Sequence, residues 1–451
     1  MDVTDILSPL NDAQRDAVAA DSVNLLVLAG AGSGKTRVLV HRIAWLIRAE
    51  GLSPQTILAV TFTNKAAREM RGRIEDMLAI PAHGMWVGTF HGLAHRLLKA
   101  HWQDAGLVQN FQILDSDDQL RLVKRVCREL QLDESRWPPR QAQWFINAQK
   151  DEGLRAAHIE PAPGDLFQQT MLQIYAAYES ACERGGLVDF AELLLRAHEL
   201  WLKKPEVLAH YQQRFRQILV DEFQDTNTIQ YVWLRVLAGG HIPVVAVGDD
   251  DQSIYGWRGA RIENIQRFSD DFPGTRVVRL EQNYRSTQTI LQAANGVIAH
   301  NSGRLGKQLW TAGEGGDPLQ LYAGFNEQDE ARFIVDQLED WLRQGNPRAS
   351  AAILYRSNAQ SRVLEEALIR AAMPYRIYGG QRFYERMEIR NAMAYLRLLV
   401  NRDDDAAMER IINTPPRGIG GKTLDTLRSL ARERELSLWQ SMAVVAAEKM
   451  L

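Results

Sequence analysis

The chain has 451 residues, 53 Lys and Arg against 56 Asp and Glu for a net charge of −3, and 45% hydrophobic residues. That composition excludes a disordered chain and a miniprotein stapled by disulfides or metal, and at roughly 100–200 residues per domain it predicts about two to four domains. A near-neutral total does not exclude nucleic acid as a partner, because an electropositive groove can sit on an acidic whole.

Cys127 and Cys182 are the two cysteines, with no CxxC and no Cys/His cluster. Neither a disulfide framework nor a zinc site is therefore expected, and a reducing cytoplasm fits best. No basic residue precedes Arg15, and no apolar run approaches the roughly 18 residues of a membrane span, so a cytoplasmic protein off the membrane is expected.

In chain order, short apolar runs at Leu25–Ala29, Ile57–Phe62, Gln217–Glu222, Pro243–Asp249 and Arg276–Gln282 alternate with amphipathic stretches. This is the pattern of an α/β fold with a parallel sheet and crossover helices. Between about Phe90 and Arg216 the β-like runs nearly vanish, which predicts a helical insertion. A second α/β pattern follows Tyr284, with strand-like runs near Leu319–Tyr322, Ala351–Tyr355 and Tyr375–Tyr378, and the text is again helical from about Phe383. The domain reading is 1–89 and 216–280 for the first α/β domain, 90–215 for its insertion, 281–378 for a second and partial α/β domain, and 379–451 for a helical insert of that domain.

LLVLAGAGSGKTRVLV reads as a buried strand, a Gly-rich turn and a helix starting near Lys35. Gly30, Gly32 and Gly34, with Ala29, Ala31 and Ser33 between and before them, allow backbone N–H groups to wrap phosphates at a helix N-terminus. Lys35 adds a cation and Thr36 a hydroxyl for Mg²⁺, so ATP is the expected ligand. The strict phosphate-loop pattern wants Gly where Ala29 stands. RQILVDEFQDTN puts Asp221 and Glu222 at a strand end, where Asp221 can hold Mg²⁺ and Glu222 can orient or deprotonate an attacking water. Asp225 and Thr226 are candidate caps of the next helix. In VVAVGDDDQSIYGWRGA, Gln252 is placed to report the γ-phosphate. Tyr255 and Trp257 lie in a Gly-containing loop where their rings can stack on unpaired bases or pack an interface, and Phe62 carries the same two readings.

Taken together, LNDAQ (Leu10–Gln14), AGAGSGKT (Ala29–Thr36), AVTFTNKAAREM (Ala59–Met70), VGTFHGLAHRLL (Val87–Leu98), GLVDFAELL (Gly186–Leu194), ILVDEFQDTN (Ile218–Asn227), VGDDDQSIYGWRGA (Val247–Ala260), LEQNYRS (Leu280–Ser286) and AILYRSNAQSR (Ala352–Arg362) resemble the superfamily 1 DNA helicases of the UvrD/Rep/PcrA group. In that group Ala is usual at position 29. The resemblance implies a P-loop NTPase with two RecA-like domains, the second incomplete here, and an ATP- and Mg²⁺-dependent 3′-to-5′ helicase or translocase acting on single-stranded DNA and single/double-strand junctions in repair and replication. It implies that Gln14 reads the adenine edge, Tyr284 stacks on the base, Arg37 lies near the nucleotide and Arg285 is an arginine finger. Phe62, Thr63, Asn64, His91, Phe190, Tyr255, Trp257 and Arg258 would line the single-strand track. Repair proteins are implied partners, with the protein a monomer or weak dimer. The PPRGIGGKTLDTL string (Pro415–Leu427) resembles a hairpin that meets duplex phosphates, and reads equally as a helix junction. TLHSAKGLEF-like and YVGVTRA-like strings do not occur, which reads as an N-terminal fragment whose second sheet is short of strands and whose unwinding alone is in doubt. The alternative is an ATP- and single-strand-binding module that does not unwind.

Overall fold

The computed structural model describes residues 3–378, 387–434 and 436–448. They form two compact units, Met1–Pro318 and Leu319–Leu451. The start of the helical insert expected from 379 lies outside the described residues.

The first unit is built on six parallel strands: β1 (Leu25–Ala29), β2 (Ile57–Thr61), β3 (Trp86–Thr89), β6 (Gln217–Val220), β7 (Val244–Gly248) and β8 (Arg276–Leu280), in the order β3-β2-β6-β7-β1-β8. A separate parallel pair joins β4 (Gln112–Ile113) to β5 (Leu187–Val188). The strand sequences explain the sheet. Alternate residues face opposite sides, so a strand covered on both faces must be apolar throughout. Leu26, Leu28, Leu58, Val60, Ile218, Val220, Val244 and Ala246 point into one core, while Leu25, Val27, Ile57, Ala59, Leu219, Val245 and Val247 point into the other. The first core is closed by helices Phe90–Ala100, Phe190–Lys203 and Thr228–Ala238, and the second by Asp12–Val18, Lys35–Arg48 and Asn64–Leu78. Register follows: Val27 lies opposite Val247 on β7 and Val278 on β8.

Because all six strands run the same way, their carboxyl ends gather on one edge of the sheet. The phosphate-loop residues follow β1, Asp221 and Glu222 follow β6, and Asp249–Gln252 follow β7. The α/β class is as expected. Strand β3, which the apolar runs did not reveal, ends at Thr89, and Thr89 caps the helix that starts at Phe90 by accepting from Gly92 N.

The helices expected between Phe90 and Arg216 include Ser116–Glu129, Pro139–Asp151, Leu166–Arg184 and Phe190–Lys203. Residues 281–318, expected in a second domain, group with the first unit in the structure.

In the second unit the three expected strands do not form. Residues 319–322, 351–355 and 375–378 carry no ladder among the described residues. A ladder needs a neighbour to pair with, and the runs stand open to water: Leu321 is 99% and Leu354 93% exposed. Parts of the later two runs instead line a cavity of about 870 Å³ with Leu338, Trp341 and Leu368, between helices Glu327–Arg343 and Asn358–Arg370. Helices Met387–Val400, Asp405–Ile411, Gly421–Glu433 and Leu438–Glu448 share a small core of Leu398, Met408, Leu427, Leu430 and Val445. Pro415–Gly420 lies in the connection between two of these helices.

Candidate functional site

The loop after β1 turns sharply enough to need glycine. Gly32 has φ +67° and Gly34 φ +90°, the left-handed region that a side chain strains. A Cβ on Gly32 would also stand 2.5 Å from Asn283 Nδ2, and one on Gly34 would stand 2.8 Å from Gln14 Nε2. Gln14 is buried; its Nε2 donates to Ser33 O at 2.8 Å and its Oε1 accepts from Asn11 N at 3.1 Å, so its amide fixes the loop from beneath. Ser33 Oγ donates to Gly30 O at 2.8 Å, and Gly30 N donates to Leu280 O at 3.0 Å. Ala29 is the buried last residue of β1.

Lys35 opens the helix Lys35–Arg48, with Thr36 beside it half-buried and Arg37 exposed. Lys35 Nζ lies 3.2 Å from Glu222 Oε2, an ion pair off the hydrogen-bonding direction, and among the described residues this buried nitrogen has no hydrogen-bond partner. A buried cation left short of acceptors, at a helix N-terminus ringed by glycine N–H groups, is the local chemistry that a phosphate completes.

Asp221 is buried at the end of β6. Burial, and then the charge of Glu222, push its carboxyl up to about 7, against the opposing pull of Lys35. Asp225 is pushed up to about 7 by burial and then by Glu222. Both carboxyls are thus buried beside a like charge, with the Lys35 ammonium pulling the other way, which leaves this strand end under-neutralised. Glu222 sits at φ 49°, a left-handed backbone that non-glycine residues rarely hold, and such strain concentrates at functional sites. Asp225, expected with Thr226 as a helix cap, lies instead in the short turn Phe223–Asp225; the cap is Asn227, whose side chain accepts from Gln230 N. The cap therefore falls one residue beyond Thr226 and two beyond Asp225, because the turn intervenes.

Several residues that tie the strand ends together were not singled out by the sequence. Gln224 Nε2 donates to Glu222 Oε2 at 3.0 Å while its Oε1 accepts from Asp249 N at 2.9 Å. Gln252 Nε2 donates to Asp249 Oδ2, so a chain of contacts runs from Lys35 through Glu222, Gln224 and Asp249 to Gln252. Lys307 Nζ lies 2.7 Å from Asp249 and 3.0 Å from Asp251 and also bonds Asp250, while Arg304 grips Asp251 at 2.7 and 2.8 Å. The signal for these residues was present in the triple aspartate of GDDDQ, which needs counter-charge, but nothing local named its partner.

Segment 281–285 lies against the loop. Asn283 Nδ2 donates to Ala31 O at 2.5 Å, and Tyr284 N to Gly32 O at 2.9 Å. The half-exposed Tyr284 ring has its hydroxyl tied to Asn11 Nδ2 at 2.8 Å and Gln282 Oε1 at 2.9 Å. Arg285 is exposed, and its Cβ would stand 2.8 Å from a Cβ on Gly32.

The aromatics form two groups. Phe62 stacks on Tyr255 with centroids 5.3 Å apart, Tyr255 lies 6.4 Å from Trp257, and the Arg258 guanidinium covers Trp257 at 4.7 Å. Trp257 is 71% exposed, so the row ends on an open face. Separately, His91 meets Phe190 edge-on at 5.9 Å, with Phe190 54% exposed. Burial lowers the His91 imidazole to about 4, which keeps it neutral near pH 7 and suits it to aromatic contact. Thr63 caps the helix Asn64–Leu78 by accepting from Ala66 N at 3.1 Å, and Asn64 is exposed beside it.

Among the described residues no helix is long and apolar enough to cross a membrane. The profile of the UvrD/REP helicase N-terminal domain matches residues 10–273, and that of the UvrD-like helicase C-terminal domain matches 278–448. The chain is 64% identical over 451 residues to DNA helicase II of Escherichia coli (strain K12), covering 100% of this chain and 62% of that protein. It is 61% identical over 455 residues to DNA helicase II of Haemophilus influenzae, again covering 100% and 62%. It is 45% identical over 448 residues to the ATP-dependent DNA helicase PcrA of Leuconostoc citreum, covering 99% of this chain and 60% of that one. The chain thus spans about three fifths of the length of the curated relatives it matches. With a glycine-turned phosphate loop, a carboxylate pair on the same sheet edge and both profiles in register with them, the chain belongs to the UvrD/REP helicase family.

Proposed function

We propose that this chain carries the ATP-hydrolysing and strand-gripping machinery of a DNA helicase that moves 3′ to 5′ on single-stranded DNA. The observation that carries the reading is the orphaned Lys35 Nζ, paired only loosely with Glu222, on the same sheet edge as an under-neutralised Asp221.

In this reading the backbone N–H groups of Gly30–Thr36 and the Lys35 ammonium bind the phosphates of ATP. Lys35 leaves Glu222 to do so, and the freed Glu222 carboxylate orients a water and takes its proton. Thr36 and Asp221 hold Mg²⁺, which when bound neutralises charge on the phosphate oxygens. Gln252, hung on Asp249, responds to the γ-phosphate, and Arg285 adds positive charge from the 281–285 segment. Tyr284 stacks on the base, with Gln14 and Arg37 at the nucleotide's periphery. Phe62, Tyr255, Trp257, Arg258, His91 and Phe190, with Thr63 and Asn64, hold the single strand by stacking, which tolerates any base because every base has a π-face. Single/double-strand junctions as substrates, duties in excision and mismatch repair and in clearing replication intermediates, repair proteins as partners, a monomer or weak dimer and a cytoplasmic location complete the proposal.

The test is the Mg²⁺-dependent ATPase rate of this chain with and without a single-stranded oligonucleotide, beside Lys35→Ala. Turnover that rises with the oligonucleotide and disappears in Lys35→Ala supports the reading. Binding of both ligands with no turnover would favour a module that binds without working, and no binding of either would overturn the assignment.

A further inference from the structure

Helix Pro139–Asp151 ends in three consecutive charged residues, Lys150, Asp151 and the capping Glu152, and each engages a different part of the first unit. Lys150 is buried; its Nζ lies 2.7 Å from Asp189 Oδ2 and 2.9 Å from Glu192 Oε2. Asp189 also caps the helix Phe190–Lys203, accepting from Glu192 N at 2.8 Å, and takes Tyr178 OH at 2.7 Å. The residue that this cap holds first in line is Phe190. Asp151 Oδ1 accepts from Asn227 Nδ2 at 3.0 Å, and Asn227 caps the helix that follows the Asp221–Asp225 turn. Glu152 accepts from Thr228 Oγ1 at 3.0 Å and pairs with Arg261. Arg261 in turn donates from its N to Thr226 O at 2.9 Å, just beyond the loop of Tyr255 and Trp257.

We propose that Lys150, Asp151 and Glu152 form a junction that couples strand binding at Phe190 and Trp257 to ATP turnover at the acidic strand end. The inference rests on the proposed function of the site. The physical reason is that buried pairs of this kind do not stretch. Leaving Asp189 without Lys150 would strand a buried carboxylate whose other partners, Tyr178 OH and Glu192 N, carry no charge, while Glu192 keeps Arg155 and Arg196; a shift of the Phe190 helix start therefore carries the end of the Pro139–Asp151 helix with it. That end is the one bonded to Asn227 and Thr228, and it moves the turn that bears Asp221 and Glu222. An apolar residue in place of Lys150 would fill the same space without tying the two helices in one register, so the charges act as positioning residues and not as packing.

Asp151 gives the clean test, because its removal leaves the Lys150 cluster in place. In this chain, Asp151→Ala is expected to keep basal ATPase, nucleotide affinity and oligonucleotide affinity within about twofold, while oligonucleotide stimulation of turnover falls about tenfold. Asp151→Asn, which still offers an oxygen to Asn227, is expected to restore stimulation; a purely structural role would not separate stimulated from basal rates in this way. Stimulation of Asp151→Ala equal to that of the unaltered chain overturns the junction alone, provided that Trp257→Ala loses strand binding. Absence of stimulation in the unaltered chain overturns the reading of the site and the junction with it.

Discussion

Replacing Lys307 with Met removes an ammonium group whose side chain is 3% exposed and which contacts Asp249, Asp250 and Asp251 together. The three carboxylates place ligand oxygens within 4.8 Å of one another, and among the described residues only Arg304, on Asp251, remains as a cation to offset them. Breaking one side of a buried ion pair costs about 3–5 kcal/mol, and the Arg304 contact argues for the lower end, about 3 kcal/mol. For a unit of this size, Met1–Pro318, that corresponds to a fall of about 4–5 °C in the unfolding midpoint. The vacated space has the oxygen donors of a divalent site, so millimolar Ca²⁺ should recover part of the loss in Lys307→Met. The assay is thermal unfolding of both proteins without nucleotide, in chelator and in Ca²⁺, read as the difference between them. The sign with pH is fixed too. Burial opposes ionisation of Asp251, but Arg304 and Lys307 hold it below its ordinary range, so in the unaltered chain this stabilisation is present above that range and fades as pH falls through it. The deficit of Lys307→Met should therefore hold down to about pH 4 and narrow only below it. A loss under about 1 kcal/mol, or an equal Ca²⁺ response in both proteins, would refute the reasoning.

Trp257→Ala should weaken oligonucleotide binding by about 1–3 kcal/mol, the worth of one stacked base, with nucleotide affinity unchanged in a fluorescent-nucleotide titration. Gly32→Ala forces a side chain into φ +67° and toward Asn283 Nδ2; about 1–2 kcal/mol of stability should be lost in urea unfolding, together with nucleotide binding. Burial and the neighbouring Asp189 raise the Asp151 carboxyl to about 7. Folding favours its protonated form, so its contribution is most favourable below about pH 4 and is lost as pH rises through 7. Asp151→Asn should flatten stability between those limits, and an unchanged pH profile would remove Asp151 from the account.

What could be read in the sequence was what local composition decides. The strands β1, β2, β6 and β7 are apolar except at Gln217 and Thr61, which sit at strand ends, because they are covered on both faces, and glycines spaced as at 30, 32 and 34 have few explanations other than a wrapped anion. The runs at 319–322, 351–355 and 375–378 share that composition and still form no strand, since a strand is a property of a pair of segments and apolarity a property of one. The same distinction explains the residues that were missed. Lys307 meets Asp250 across 57 positions, and Asn283 meets Ala31 across 252, so neither partnership leaves a local pattern. Lys150 and Glu192 lie on amphipathic helices, where most charges are solvated; here they face each other inside.

Burial also sorts the ion pairs of the first unit by what they can do. Lys35 and Glu222 are held 3.2 Å apart with Glu222 35% exposed, and a pair open to water to that degree contributes at most about 1 kcal/mol. Its rupture is cheap on the scale of phosphate binding, and the left-handed Glu222 backbone, itself a strain of about 1–3 kcal/mol, adds a further reason for the turn to change when Lys35 departs. The Lys150 and Lys307 clusters are sealed, and a change that separated their members would cost several kcal/mol. The exchangeable pair therefore sits where a ligand's phosphate would replace one partner, while the sealed clusters anchor the segments carrying Phe190, Asn227 and Gln252. Separating either sealed cluster costs more than opening the loose pair, so the segments those clusters tie are expected to stay together when Lys35 changes partner.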